Sequence, residues 1–409
     1  MTERSYKWLL LALLWVVALL NYLDRQLIFS LFPPLEAEFG LSSVQLGFLG
    51  TAFLWVYGLL SPVGGYVADR FGRRRVILSS LAVWSAVTYL TGHVRNYNEL
   101  LAARALMGTS EAFYLPAALA LIADYHGEET RSRATGLHQS GLYAGIVLGG
   151  IGGGWMGDRY GWRTAFLILG VTGVLYAAAL VFGLKDTPGA QRGDRAVGDR
   201  LAFGWSIRAL MSARPFALLL TANSLASMAY WVVYTWLPLF LYERFQMSLT
   251  LAGFSATFYI QAASFAGILA GGWLADHWSR SNPRGRLLTQ FLGFATAGPF
   301  LFMVGAAGSL WILLPGLILF GLGRGFFDCN LMPVLCQIVS PKLRATGYGI
   351  LNFASCIAGG VMAAAAGAVK NAIGLGGALE ISAVMLLIAA VLLLRVRVET
   401  ACAVELQRE

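Results

Sequence analysis

The chain of 409 residues is 57% hydrophobic and 12% charged, with a mean hydropathy of +0.66 and a formal net charge of +9. Soluble domains carry about 25% charged residues, so this chain lacks the polar surface to cover a globule in water, and its natural solvent is lipid. Cys329, Cys336, Cys356 and Cys402 have no metal-ligand spacing, and three of them lie in apolar stretches. Neither a disulfide framework nor a zinc site is implied.

The N-terminus places Arg4 and Lys7 before an apolar run that continues through Leu20 without a small-residue cleavage site. It is expected as a retained first span rather than a cleaved leader. Runs of spanning length predict helices at roughly 8–33, 43–67, 75–93, 98–123, 134–156, 163–184, 215–241, 250–276, 286–306, 310–338, 345–368 and 375–396. The expected fold class is an all-α integral membrane protein of about twelve transmembrane helices in two six-helix halves. Residues 1–184 form the first half and 215–409 the second. Residues 185–214, rich in Gly, Asp and Arg, form a cytoplasmic linker with an interfacial turn near Trp205.

The basic charge invites a nucleic-acid reading, which the distribution of the charges removes. With a cytoplasmic N-terminus, 22 of the 30 Lys and Arg residues fall on the cytoplasmic side. Five fall on the other side: Arg95, Arg159, Arg163, Arg244 and Lys370. Arg25, Arg104 and Arg324 lie inside spans. That asymmetry sets both termini in the cytoplasm of a bacterial-type inner membrane and accounts for the basic balance.

The halves echo each other. Gly64-Gly65-Tyr66-Val67-Ala68-Asp69-Arg70 recurs as Gly271-Gly272-Trp273-Leu274-Ala275-Asp276-His277, and Arg133-Ala134-Thr135-Gly136 recurs as Arg344-Ala345-Thr346-Gly347. A parallel repeat of two six-helix halves is a transporter architecture. Gly65 to Arg74 completes the pattern G-x-x-x-D-[RK]-x-G-[RK]-[RK] and resembles the signature loop of the major facilitator superfamily. The resemblance implies a major facilitator fold that rocks about a midplane cavity. It also implies a cytoplasmic gate involving Gly65, Asp69, Arg70 and Arg73, with Arg133, Asp276 and Arg344 at the repeat positions.

Within that superfamily the chain resembles the anion:cation symporters. The similarity runs through Asn21-Tyr22-Leu23-Asp24-Arg25, Ala52 to Tyr57, Arg104 to Gly108, Glu111-Ala112 with Pro116, Thr235 to Pro238, Asn352-Phe353 and Gly359-Gly360. Its first-half stretches are similar to spinster-type lipid transporters as well.

Charges within spans are costly, at least ~2.5–3.5 kcal/mol each on insertion scales, and so mark interiors and pathways. Asp24, Arg25, Arg104, Glu111, Arg324 and Asp328 are such charges. Arg104 and Glu111 stand two turns apart on one face, about 10 Å along the axis and too far to pair directly, so each needs another partner. Adjacent Asp24 and Arg25 point apart. Arg324 and Asp328, four apart, can pair. The family resemblance implies proton coupling for Asp24 and Glu111, and substrate or network roles for Arg25 and Arg104. Arg324 and Asp328 are expected to form a second-half polar site that selects the substrate. Further candidates are Tyr22, Tyr57 and Asn352, which the family resemblance supports, and Tyr230, Gln261, Asn330, His138, Gln139 and Trp231, which rest on position alone.

The expected function is symport of a small organic anion, a carboxylate or sugar acid, with protons as the coupling ion and Na+ as the alternative. The competing expectation is a spinster-like exporter of lysolipids or drugs. No enzymatic motif is present. No cofactor, metal or nucleic-acid partner is expected, and the protein is expected to act as a monomer in the bilayer.

Overall fold

The computed structural model describes residues 3–126, 128–186, 203–340 and 343–397; within these, the side chains at 3–5, 65, 66, 69, 128, 129, 131–133, 203–206 and 345 are not described. The fold is all-helical across the described residues. In chain order the helices are α1 (Glu3–Ser30), α2 (Phe32–Phe39), α3 (Ser43–Phe71), α4 (Arg73–Thr91), α5 (Tyr97–Glu111), α6 (Tyr114–Tyr125), α7 (Glu128–Tyr160), α8 (Trp162–Gly183), α9 (Phe203–Ser212), α10 (Arg214–Phe245), α11 (Leu249–Ser279), α12 (Gly285–Ala306), α13 (Leu310–Asp328), α14 (Leu331–Ile338) and α15 (Arg344–Leu394).

Local chemistry sets these boundaries. Ser42 and Gln45 form a capping box at the start of α3: the Ser42 hydroxyl accepts from the Gln45 N–H, and the Gln45 side chain accepts from the Ser42 N–H at 2.9 Å. Asn96 caps α5 by accepting from the Glu99 N–H at 3.0 Å. Gly72, at φ +91°, makes the turn between α3 and α4, a backbone region disfavoured for any residue with a Cβ.

Nine helical stretches among the described residues are long and apolar enough to cross a bilayer. Two further helices, α4 and α7, have the length but dilute their apolar content with an arginine run and with charged and polar residues. The 51-residue α15 contains non-helical Gly374, at φ +71°, so it makes two passes where two separate spans were expected. Counted with these, the helices accommodate about twelve crossings. Bulky apolar side chains on the outer faces remain bare, Phe182 being 88% exposed and Trp311 90%, as a lipid solvent requires.

Two of the expected spans are each broken within their length. The fourth divides into α5 and α6, and the tenth into α13 and α14. Pro116 and Pro333 each stand third in the second piece. A proline there has no N–H for the carbonyl four residues back.

The chain packs as two compact units. The first comprises Met1–Gly193 with Tyr234–Thr257, and the second Asp194–Val233 with Phe258–Glu409. The hairpin between α10 and α11 therefore packs with the first unit. There Gly253 meets α7 so closely that a Cβ on it would lie 2.0 Å from the Gly150 carbonyl oxygen. The Asp158 carboxylate accepts from the backbone N–H groups of Leu249 and Thr250 and from the Thr250 hydroxyl, the last at 2.6 Å. The core of the first unit gathers Leu10, Leu14, Trp84, Tyr114 and Leu121. The middle of the expected linker, residues 187–202, and the Trp205 side chain lie outside what the structure describes.

Candidate functional site

Two helices of the first unit bring four charges together. Asp24 and Arg25 come from α1, Arg104 and Glu111 from α5. All four are buried, and they lie within Coulombic reach of one another. Gly108 sets the wall beside them: a Cβ there would sit 2.6 Å from the Phe53 carbonyl oxygen, so α5 rests backbone to backbone on α3, which carries Phe53 and Tyr57.

The pairing is specific. Arg25 donates through Nε to Glu111 Oε2 at 2.5 Å. Its guanidinium lies over the rings of Tyr57 at 4.4 Å, Tyr22 at 4.6 Å and Phe53 at 4.9 Å. These rings supply cation–π stabilisation and keep the pair dry. Tyr22 and Tyr57 thus belong to the cluster as wall and lid of Arg25. Asp24, pointing away from its neighbour as its position on the helix requires, accepts from the Thr88 hydroxyl of α4 at 3.2 Å.

Arg104 has no carboxylate within ion-pair distance among the described residues. It donates to the Leu49 carbonyl at 3.2 Å and approaches Met107 Sδ at 3.0 Å, with Phe53 4.9 Å from its guanidinium carbon. Its Nη2 has no hydrogen-bond partner. A buried guanidinium with a vacant donor and no direct ion pair among the described residues has unspent capacity for an anion.

His138 is fully buried against Tyr114. The Tyr114 hydroxyl donates to the Leu14 carbonyl at 3.0 Å and so accepts from His138 Nε2 at 2.9 Å, which fixes the imidazole proton on Nε2. That ring ties α1, α6 and α7 together. Gln139 is exposed on α7.

The second unit holds the other candidates. Arg324 and Asp328 form the expected i, i+4 pair at 3.3 Å, with the guanidinium 5.3 Å from the Tyr230 ring. Their side chains are 13% and 28% exposed, whereas Glu111 is 0% exposed. The second-unit pair is thus open on one side and the first-unit pair is shut. Asp328 ends α13 as Glu111 ends α5, and each stands five residues before the proline of its broken span. Asn330 donates to the Phe326 carbonyl at 3.0 Å and so braces that break. The Tyr230 hydroxyl is buried without a hydrogen-bond partner. Gln261 is buried on α11, Trp231 packs against Gly359, and Asn352 is half-buried on α15.

Three of the expected gate residues, Arg73, Asp276 and Arg344, have partners within their own units. Arg73 pairs with Asp124 and donates to the Ala120 carbonyl at 2.8 Å. Its neighbour Arg74 donates to the carbonyls of Leu184 and Val181. Asp276 pairs with Arg286 at 3.4 Å, and Arg344 closes the end of α14 on the Cys336 carbonyl at 3.0 Å. Arg70 is exposed, its guanidinium 5.8 Å from the Phe71 ring. The side chains of Gly65, Asp69 and Arg133 lie outside the described residues.

Phe53 and Thr88 were missed in the sequence. Phe53 touches both Arg25 and Arg104, and its stretch Ala52 to Tyr57 was already conspicuous. Thr88 carries no sequence signal; only the packing of α4 on α1 gives it Asp24.

Helices, repeat and buried charges define a multi-pass membrane transporter rather than an enzyme. The chain belongs to the Major Facilitator Superfamily, which matches residues 14–364. It is 26% identical to the Bacillus subtilis protein named "Probable galactarate/D-glucarate transporter GudP", covering 94% of this chain and 91% of that one. It is 29% identical to an MFS-type efflux pump of Mycolicibacterium smegmatis, covering 87% and 82%. Its fold matches the crystal structure of a bacterial homolog of the human lysosomal transporter Spinster with a TM-score of 0.83 at 22% identity, covering 96% and 97% of the two chains.

Proposed function

We propose that the protein is a proton-coupled symporter of a small organic acid, of the sugar-acid type carried by the Bacillus relative. Arg104 is the observation that carries this reading. A buried cation with a vacant donor and no carboxylate partner is suited to take a substrate carboxylate. Glu111 and Asp24 are the buried carboxylates beside it and serve as the proton carriers. Arg25 holds Glu111 in place until the charge balance of the cluster changes, either by protonation or by arrival of the anion. The protein works as a monomer in the inner membrane with both termini in the cytoplasm, which the distribution of Lys and Arg supports.

The test is a thermal-shift screen of the purified protein against galactarate, D-glucarate, related monocarboxylic sugar acids and lysolipids. A bound ligand stabilises the native state by mass action. Stabilisation by a sugar acid, lost in Arg104→Met, supports the reading. Stabilisation by lysolipids alone would replace it with the export function to which the Mycolicibacterium relative draws attention.

A further inference from the structure

A cleft of about 540 Å³ opens in the second unit where three helix ends meet. Arg214 comes from the start of α10, Arg284 from the start of α12, and Arg395 and Arg397 from just beyond the end of α15. Pro215, Leu218 and Leu394 complete its wall. Among the described residues, neither Asp nor Glu lines it.

A surplus of arginine at this end of the spans follows from the positive-inside bias alone. That bias does not explain why four guanidiniums from three distant stretches of chain border one cleft with no carboxylate among them. Arg284 is held in place, donating through Nη2 to the Leu394 carbonyl at 2.6 Å. That leaves Nε and Nη1 for another acceptor. Arg214, Arg395 and Arg397 are exposed and carry no ion pair among the described residues. The starts of α10 and α12 add the positive ends of two helices. The apolar wall formed by Pro215, Leu218 and Leu394 stands in the end turns of α10 and α15, directly beside the arginines.

We propose that this cleft is a binding site for the phosphate-bearing headgroup of an anionic glycerophospholipid. The arginines take the phosphate oxygens, and Pro215, Leu218 and Leu394 take the first carbons below the headgroup. A lipid is favoured over free phosphate because the cleft joins a cationic rim to an apolar wall. The site is independent of the substrate site and of the transported species.

The test uses the full chain purified in detergent and in nanodiscs. Lipid retention is read by native mass spectrometry and stability by thermal midpoint. Cardiolipin or phosphatidylglycerol should bind and raise the midpoint, and phosphatidylcholine or inorganic phosphate should not. Arg395→Gln/Arg397→Gln should weaken anionic-lipid binding by about tenfold or more, since each basic residue at a membrane surface contributes several-fold. Arg280→Gln, which lies outside the cleft, should leave it unchanged. If Arg395→Gln/Arg397→Gln does not fold, Arg214→Gln gives the same reading. Equal binding by the cleft variants, an equal loss in Arg280→Gln, or equal stabilisation by phosphatidylcholine or free phosphate would overturn the proposal.

Discussion

Arg25 of the first span holds Glu111 of the fourth through a 2.5 Å bond, while Arg104, two turns before Glu111 on the same helix, has no carboxylate partner among the described residues. The cluster therefore holds one closed ion pair and one open cation. Removing the open cation should weaken substrate binding without unfolding the protein. Arg104→Met keeps much of the volume and relieves the burial of a charge, so its thermal midpoint should not fall below that of the wild type. A charge-assisted bond contributes roughly 1.5–3 kcal/mol, so affinity for the transported acid should fall about tenfold to a hundredfold. Isothermal titration of variant and wild type checks both numbers. Wild-type affinity in the variant would place the anion elsewhere.

The second-unit pair makes a separate prediction. If Arg324 and Asp328 only brace α13, replacing both by leucine should be nearly neutral, as it often is for a buried pair replaced together. Their partial exposure leads us to expect a readout in selectivity instead. Arg324→Leu/Asp328→Leu should fold with a normal midpoint and change the ranking of hydroxylated acids in competition binding. A ranking identical to that of the wild type would make the pair structural.

On the face opposite the signature loop, Glu38 pairs with Arg163 and accepts from the Trp162 indole at 2.6 Å. The Arg163 hydrogen bond, then that of Trp162, hold its carboxyl below the ordinary value of 4.5. A carboxyl whose folded value is depressed contributes stability above the unfolded value, and that stability is lost as pH falls through the folded one. Both side chains are more than a third exposed, so the contribution should be at most about 1 kcal/mol. The thermal midpoint of Glu38→Gln should lie slightly below that of the wild type at pH 7, and the two curves should converge as pH falls through the depressed folded value. A gap that persists in acid would assign the loss to packing.

Much of this arrangement was legible in the sequence. The Gly65 to Arg74 match placed the turn that Gly72 makes, and the seven-residue spacing of Arg104 and Glu111 excluded a pair between them. That Glu111 would find Arg25, 86 residues away, was not legible. It depends on how α1, α3 and α5 pack together, a matter of packing rather than pattern. The break after Asp328 was likewise hidden in a continuous apolar run, although Pro333 repeats the place of Pro116. The signature loop shows the opposite case: arginines expected at a cytoplasmic gate also have partners at the helix ends beside them, such as Asp124 for Arg73 and the Val181 and Leu184 carbonyls for Arg74.

The coupling role of Glu111 is tested most directly in proteoliposomes. A labelled sugar acid that binds the purified protein is offered outside, with the interior made alkaline. Wild-type protein should concentrate it above equilibrium. Glu111→Gln, whose amide imitates the protonated acid, should still exchange labelled for unlabelled substrate but should bring the label only to equilibrium. Gradient-driven accumulation by a folded Glu111→Gln would contradict the account.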